Sequence, residues 1–153
     1  PGFMGDIGYA QSNRERYEGF CQALMDAGKT PNPSLCLTTP LGIDSYREEI
    51  DSFLSSLSRM PDAFVCASDY VACILMQLLE KRGLRVPEDV AVSGFDNNIE
   101  DLLAENLTTV QVFNEELGSR LALQILYRIK YPHTPHEVTY LESKVLYRAS
   151  TGD

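Results

Sequence analysis

The sequence lacks the clusters of Lys and Arg with which proteins neutralise the phosphates of nucleic acids. Its 153 residues hold 13 Lys and Arg against 22 Asp and Glu, which gives a net charge of −9. Because duplex binding replaces phosphate counterions with clustered basic side chains, this stretch is not expected to bind nucleic acid by itself. No apolar run reaches the length of a membrane span, and the amino terminus lacks the basic-then-apolar pattern of a signal peptide. Contact with a membrane is therefore not expected.

Motifs of common catalytic and metal sites are also missing. The sequence has no G-x-S-x-G elbow, P-loop, H-E-x-x-H pair or G-x-G-x-x-G dinucleotide loop. Its two histidines, His133 and His136, share a loop with flanking prolines, where they are expected to be exposed. We therefore expect no enzyme, no cofactor and no metal site.

Cysteine usage favours a reducing compartment. None of the four cysteines forms a C-x-x-C pair, which argues against zinc. Each lies within an apolar run, as small buried thiols do more often than disulfides or nucleophiles. A cytoplasmic location follows as an expectation. The four are Cys21, Cys36, Cys66 and Cys73.

Short apolar runs alternate with amphipathic stretches along most of the chain. This alternation predicts an α/β fold with a mainly parallel sheet, right-handed crossovers and helices on both faces. Predicted strands lie at residues 1–5, 35–39, 63–67, within 86–98, at 107–112 and at 137–146. Predicted helices begin near Ser12 or Asn13, Ile43, Ser68 or Asp69, and Asn114, and end near Gly28, Met60, Gly83 and Tyr131.

Residues 86–98 form the stretch with the clearest functional pattern. An apolar strand ends at Gly94 and is followed at once by Phe95 and Asp96. Open α/β sheets bind ligands just outside the carboxyl ends of their strands, and an ionised Asp accepts several hydrogen bonds. The alternative is that residues 96–98 form a plain turn, since Asp and Asn favour turns.

Polar side chains follow three of the predicted strands and should meet at one edge of the sheet. They are Arg16, the pair Ser68 and Asp69, and Asp96 beside Phe95. A guanidinium, a hydroxyl, a carboxylate and an aromatic ring suit a sugar, whose apolar face a ring covers. The alternatives are a surface ion pair between Arg16 and a neighbouring glutamate, Glu15 or Glu18, and helix capping alone for the Ser-Asp pair.

Five segments, in order, resemble motifs of the lactose-repressor/galactose-repressor (LacI/GalR) family. Residues 16–20 resemble R-x-x-G-F, and residues 61–72 resemble P-x-A-x-x-x-x-N-D-x-x-A. Residues 83–97 resemble G-x-x-V-P-x-D-V-x-V-x-G-F-D-[DN]. The segments at 107–118 and 148–151 resemble L-T-T-V…E-L-G and R-x-S-T.

The resemblance implies a cytoplasmic transcription regulator. Such proteins join a helix-turn-helix head, which binds operator DNA, to a periplasmic-binding-protein-like domain that binds a small effector, usually a sugar. This chain resembles only the carboxyl-terminal part of that domain, a three-layer type I subdomain with a mainly parallel sheet flanked by helices. The alternative is a solute-binding protein of the same fold, for sugar transport or chemotaxis.

The resemblance also divides the chain and assigns residues. Residues 1–111 would be the effector-binding subdomain, 112–132 a helix that packs on a first subdomain, and 133–153 a return strand and tail. Effector contacts would come from Arg16, Ser68 (where the family commonly has Asn), Phe95, Asp96 and Asn97. Asp69 would then be the helix cap.

Two expected interfaces follow from the same resemblance. The helix face made by Leu117, Leu121, Ile125 and Ile129 would pack on another chain, on this sheet in a position unlike the family's, or on an upstream half removed from a longer protein. A homodimer interface would use Cys73, Leu102 and Leu103.

Overall fold

A parallel sheet lies at the centre of the structure, a computed structural model that describes residues 1–42, 44–98 and 103–152. Because the predicted alternation of strands and helices is present, the α/β assignment is confirmed. The strands are β1 (Gly2–Met4), β2 (Cys36–Leu37), β3 (Ala63–Cys66), β4 (Ala91–Ser93), β5 (Thr109–Gln111) and β6 (Lys144–Leu146). The helices are α1 (Gln11–Asp26), α2 (Tyr46–Ser56), α3 (Asp69–Lys81) and α4 (Asn114–Lys130).

The first four strands pair in the order β2-β1-β3-β4, and all are parallel. Parallel bridges from Ser93 to Thr108 and from Asp96 to Gln111 place β5 beside β4. Strand β6 then pairs antiparallel with β5. The carboxyl ends of β1 to β4 therefore lie along one edge, as the sequence pattern predicts.

Helices cover the sheet on both faces. Phe3 and its neighbour Met4 are both fully buried, but they belong to different hydrophobic clusters because successive side chains of a strand point to opposite faces. Phe3 packs with Phe20 and Leu24 of α1, and Met4 belongs to the larger core with α2 and α3. These three layers match the predicted architecture.

The N-caps of two helices lie one to three residues before the predicted caps. Helix α1 begins at Gln11, and its N-cap, Ala10, makes no side-chain capping bond. Asn13 instead donates to the carbonyl oxygen of Asp6, at 2.9 Å, and so ties the helix to the preceding loop. Helix α4 has Phe113 as its N-cap, and Asn114 is its first residue.

The last strand is much shorter than the predicted 137–146. Only Lys144–Leu146 pairs with a neighbour, because β5 offers just three residues for pairing. Val138 and Tyr140 are 77% and 90% exposed. Their alternation with polar residues therefore does not mark a buried strand face.

Helix α4 has no buried residue. Its predicted apolar face lies open, with Leu121 58% and Ile129 73% exposed. The alternative in which this helix packs on its own sheet is therefore wrong, because such packing would cover those side chains.

The cysteines divide into two pairs by burial. Cys66 and Cys73 are buried, as expected, whereas Cys21 and Cys36 keep intermediate exposure. His133 and His136 are both exposed, which confirms their predicted position. Each helix in the described part of the chain is too short or too polar to span a membrane.

Candidate binding site

Arg16 crosses from α1 to the carboxyl edge of the sheet. Its Nη1 donates to the carbonyl oxygen of Ala67, at 2.5 Å, and its Nη2 lies 3.4 Å from Oδ1 of Asp96. The guanidinium carbon lies 3.6 Å from the centre of the Phe95 ring, which is a cation–π contact. The predicted convergence of these side chains is thus present, and the alternative of a surface pair with Glu15 or Glu18 is wrong.

The Arg16 guanidinium is largely withdrawn from water. Its Nε is buried and has no hydrogen-bond partner among the described residues. Burial lowers the pKa of Arg16, while the nearby Asp96 and Asp69 raise it. Arg16 remains a cation at neutral pH, since an arginine begins from a pKa far above 7.

Asp96 lies in a backbone conformation that L residues seldom adopt. Its φ is +115° and that of Asn97 is +50°, and such positions typically cost about 1–3 kcal/mol each. Asp96 pairs with Gln111 in a parallel bridge, and the chain bends at Asn97 without forming a hydrogen-bonded turn. The Asp96 carboxylate lies 3.4 Å from Arg16, so this stretch contributes a charged group to the sheet edge.

Gly94 permits the close packing beneath that bend. A Cβ at this position would collide with the carboxylate of Asp69. The backbone N–H of Gly94 donates to Thr108, and that of Asp96 donates to Val110, at 2.8 and 3.0 Å. The site loop is therefore fixed to β5 on one side and to α3 on the other.

Asp69 is a buried support for the loop and does not cap α3. Its Oδ1 accepts from the hydroxyl of Thr109 at 2.6 Å, and its Oδ2 accepts from the backbone N–H of Asn97 at 2.7 Å. Ser68 is the N-cap, with extended backbone angles, and its hydroxyl oxygen accepts from the N–H of Val71. The predicted cap is corrected because Asp69 already lies within the helix.

Asn97 has a partner in its own chain for each polar atom of its amide. Its Nδ2 donates to Oε1 of Gln111 at 2.5 Å, and its Oδ1 accepts from Nη2 of Arg148 at 2.8 Å. The structure therefore gives Asn97 a role in holding the loop. Its direct contact with an effector stays a prediction.

The two carboxyl groups of the site are both harder to ionise than an exposed aspartate. Burial raises the pKa of Asp96, the Arg16 cation lowers it, and the charge of Asp69 raises it further. Burial likewise raises the pKa of Asp69, against hydrogen bonds from Thr109 and Asn97 that lower it. A neutral ligand with hydroxyl donors would be a suitable partner for Asp96, because it would bring no additional negative charge.

Residues that the sequence pattern did not single out lie along the same edge. Asp6, after β1, is buried and accepts from the N–H groups of Gly8 and Tyr9 at 2.7 and 3.1 Å, which shapes the loop before α1. An aspartate followed two residues later by glycine is a turn signal that could have identified it.

Three tyrosines also belong to this edge. Tyr46, at the start of α2, contacts Tyr70 of α3 with ring centres 5.6 Å apart. Burial raises the pKa of Tyr46, and the nearby Asp6 and Tyr9 raise it further. Tyr9 and Tyr70 are exposed. They follow β1 and β3, so aromatic surface faces solvent at the edge that also carries Asp96.

The residues predicted for a dimer interface expose less surface than expected or lie outside the described residues. Cys73 is only 5% exposed, so it offers little area to a second chain. Leu103 keeps intermediate exposure, and Leu102 lies outside the described residues. Within the described ranges, no group of three or more His, Cys, Asp or Glu side chains could hold a metal ion.

Comparison with known proteins identifies the family to which this chain belongs. The family profile of the periplasmic binding protein-like domain matches residues 2–151. A solved transcriptional regulator of the LacI family from Sanguibacter keddieii superposes with a TM-score of 0.82 at 26% identity, covering 99% of this chain and 58% of that one. The chain belongs to the LacI/GalR family.

Two further proteins show how this family member compares with its relatives. The transcriptional repressor PurR of Aliivibrio fischeri strain MJ11 is 31% identical over 139 residues, which are 90% of this chain and 41% of PurR. A structure of the transcriptional regulator CelR in complex with cellobiose has a TM-score of 0.84 and 27% identity, covering 97% of this chain and 46% of CelR. The chain thus spans about half the length of these regulators or less.

Proposed function

We propose that this chain binds a sugar effector and forms the carboxyl-terminal subdomain of a LacI-family transcriptional regulator. The observation that carries the proposal is the cluster at the carboxyl edge of the sheet, where Arg16 stacks on Phe95 and faces Asp96. Ligand binding at this edge would alter the operator affinity of a DNA-binding head. That head is not among the residues of this chain.

The chemistry of the cluster supports a neutral polyhydroxy ligand. The contact between Arg16 and Asp96 is long, at 3.4 Å, so both groups keep hydrogen-bonding capacity for hydroxyl groups. The side chain of Asp96 is 28% exposed, which leaves it accessible from the open edge. Ser68 adds a hydroxyl at the same edge, beyond its capping bond to Val71.

The exposed tyrosines support a sugar more than a small polar ion. Tyr9 and Tyr70 present aromatic surface beside the polar cluster, and an aromatic ring covers the apolar face of a sugar. The relative CelR was solved with cellobiose, a disaccharide. Cellobiose is therefore the first probe, and the transporter alternative is less favoured because the relatives above are regulators.

Helix α4 supports a two-lobed protein. Its exposed apolar face would pack on a first subdomain, with residues 1–111 as the second lobe, 112–132 as the connecting helix and 133–153 as the return strand and tail. Burial of apolar area is worth about 25 cal/mol per Å², so covering four such side chains would stabilise the assembly by several kcal/mol.

The family assignment also supports a cytoplasmic homodimer that contacts operator DNA through its heads. Leu103, with Leu102, remains our candidate for the dimer interface. Cys73 would contribute little contact area, because its side chain is almost fully buried. Sedimentation analysis of the wild type and of Leu103→Asp tests this proposal. A wild type that remains monomeric at high concentration would contradict it.

Thermal-shift screening against cellobiose, ribose and purine bases tests the ligand class. We expect a sugar to raise the melting temperature, because any ligand that binds only the folded state stabilises it. Arg16→Lys should abolish the shift, since an ammonium cannot reproduce the planar stack on Phe95. Arg14→Lys is a matched control, because Arg14 is an exposed residue of the same helix. Stabilisation by a purine base alone would replace the sugar proposal.

A further inference from the structure

Arg148 joins the carboxyl-terminal tail to the site loop. Its Nη1 donates to the carbonyl oxygens of Ala104 and Leu107, at 3.1 and 3.0 Å. Its Nη2 donates to Oδ1 of Asn97, at 2.8 Å. One planar guanidinium thus connects the tail to Asn97 and to the segment before β5, which are more than 40 residues away in sequence, a geometry that a lysine does not reproduce.

The backbone around Arg148 is itself firmly held. Ser150 is 2% exposed, accepts from the N–H of Thr108 at 2.8 Å and donates to the carbonyl oxygen of Val92 at 2.6 Å. The backbone N–H of Arg148 donates to the Thr108 hydroxyl, also at 2.8 Å. The tail is therefore anchored both to β4, through Val92, and to Thr108, which directly precedes β5, so Arg148 reaches the site from a fixed backbone.

Asn97 is the point at which these contacts meet the site. It directly follows Asp96, and its backbone N–H and both polar atoms of its amide have partners in the chain. One of those partners is Gln111, the last residue of β5, whose Nε2 donates to the carbonyl oxygen of Val112 at 2.8 Å. Val112 and Phe113 link β5 to α4.

We propose that Arg148 is a positioning residue of the effector site. Through Asn97 it holds Asp96 in its left-handed conformation facing Arg16, and through Gln111 it connects this loop to the link that leads into α4. This proposal rests on the proposed function, since it concerns the regulation of the same site. It gives a physical route by which occupancy of the site changes the orientation of α4, because both depend on Asn97.

Amide hydrogen exchange of this chain, followed by NMR without any ligand, tests the positioning role. The variants are Arg148→Ala, Arg148→Lys and Asn97→Gly, the last chosen because glycine accepts a positive φ without strain. We expect exchange at the Asp96 and Asn97 amides to rise at least tenfold in Arg148→Ala and Asn97→Gly, and less in Arg148→Lys. The increase should extend to Val112.

The internal controls separate positioning from general weakening. Exchange in β3 should change less than twofold in every variant, and Arg120→Ala, which removes an exposed pair with Glu116 on α4, should change nothing in the loop. The double variant of Arg148→Ala and Asn97→Gly should equal Asn97→Gly alone, since the two residues act in series. A uniform rise across the sheet, no rise at Asp96 or Val112, or additive effects would overturn the proposal.

A calorimetric titration with cellobiose keeps the two proposals apart. If cellobiose binds, Arg148→Lys should weaken its affinity about tenfold while leaving the melting temperature of the free protein within a few degrees. Unchanged affinity in that variant would overturn the positioning role at the site. Failure of the wild type to bind cellobiose here, or any sugar in the thermal-shift screen, would count against the proposed function, whereas the exchange experiment would still decide whether Arg148 holds the loop.

Discussion

At the scale of single residues, Arg16 shows how a cation can be kept in a half-buried position. The stack on Phe95 and the bond to Ala67 replace part of its hydration, and a desolvated cation–π contact is worth about 2 kcal/mol or more. Asp96 supplies the opposite charge. The site is therefore pre-formed in one respect, because the guanidinium plane is fixed before any ligand arrives.

Removing the charge of Arg16 should change the titration of Asp96. In Arg16→Met, which keeps an apolar stem against Phe95, we expect the pKa of Asp96 to rise above its wild-type value. The reason is that Arg16 favours the ionised carboxylate, whereas burial and Asp69 oppose it. NMR titration of the Asp96 carboxyl carbon measures the change. Arg14→Met is the control, and an unchanged or lower pKa in Arg16→Met would contradict the electrostatic interpretation of the pair.

Asp69 should make the stability of the chain depend on pH in an unusual direction. Its folded-state pKa is raised, mainly by burial, so its contribution is fully present below the unfolded pKa and is lost as pH rises through the folded pKa. In Asp69→Asn, loss of acceptor capacity should cost about 1–3 kcal/mol at low pH. That deficit should shrink as pH rises above the unfolded-state pKa of an aspartate, since only the wild type loses the contribution of Asp69 there.

Urea denaturation at several pH values measures this deficit. Asp62→Asn serves as the control, because the side chain of Asp62 is 92% exposed and should give no comparable trend. A deficit that grows with pH would mean that the hydrogen bonds from Thr109 and Asn97 outweigh the cost of burial.

At the scale of secondary-structure elements, α3 and α4 differ most in how much of each helix is buried. Helix α3 is buried on most sides, since nine of its thirteen residues are buried. Helix α4 is longer but has no buried residue. Both sequences are amphipathic or apolar enough to predict a packed helix. Their different environments therefore follow from what the rest of this chain places beside them.

Substitutions on α4 should barely affect the folding of this chain. Leu121→Gln and Ile125→Gln each should change the free energy of unfolding by less than about 1 kcal/mol, because both side chains are more than half exposed. Leu75→Ala in α3, which is fully buried, should cost about 2–5 kcal/mol. Urea denaturation compares them. Equal costs for the two helices would mean that α4 packs on its own chain in solution.

At the scale of the whole molecule, the site is open on one side. Arg16, Asp96 and the exposed tyrosines line an edge, whereas small-molecule sites usually bury 70–90% of their ligand. A second lobe would close this edge, and the exposed face of α4 gives that lobe a place to pack. The net charge of −9 argues against contact with nucleic acid through this chain itself.

A longer protein that includes an upstream lobe should bind the effector more tightly than this chain. Covering about 100 Å² of additional apolar surface is worth about 2.5 kcal/mol, or on the order of fiftyfold in the dissociation constant. Calorimetric titration of both proteins with cellobiose measures the difference. Equal affinities would mean that this edge alone forms the complete site.

Local sequence patterns determined the fold class of this protein and the position of its candidate site. The alternation of apolar runs with amphipathic stretches predicted the parallel sheet, and the position of Asp96 after a buried strand predicted its place at the sheet edge. These predictions succeed because period and chain order act through neighbours in sequence, and a parallel sheet brings the ends of its strands together. The family motifs indicated which side chains at that edge are candidates for effector contacts.

Only the tertiary structure decided how those side chains are used. Asp69 and Asn97 are residue types that favour helix caps and turns, yet here they hold the loop in place. They do so because their hydrogen-bond partners lie more than ten residues away in sequence; these partners are Thr109, Gln111 and Arg148. The same applies to α4, whose apolar face is as well formed in sequence as that of a core helix. Burial and hydrogen-bond partners depend on distant segments, and no local pattern contains that information.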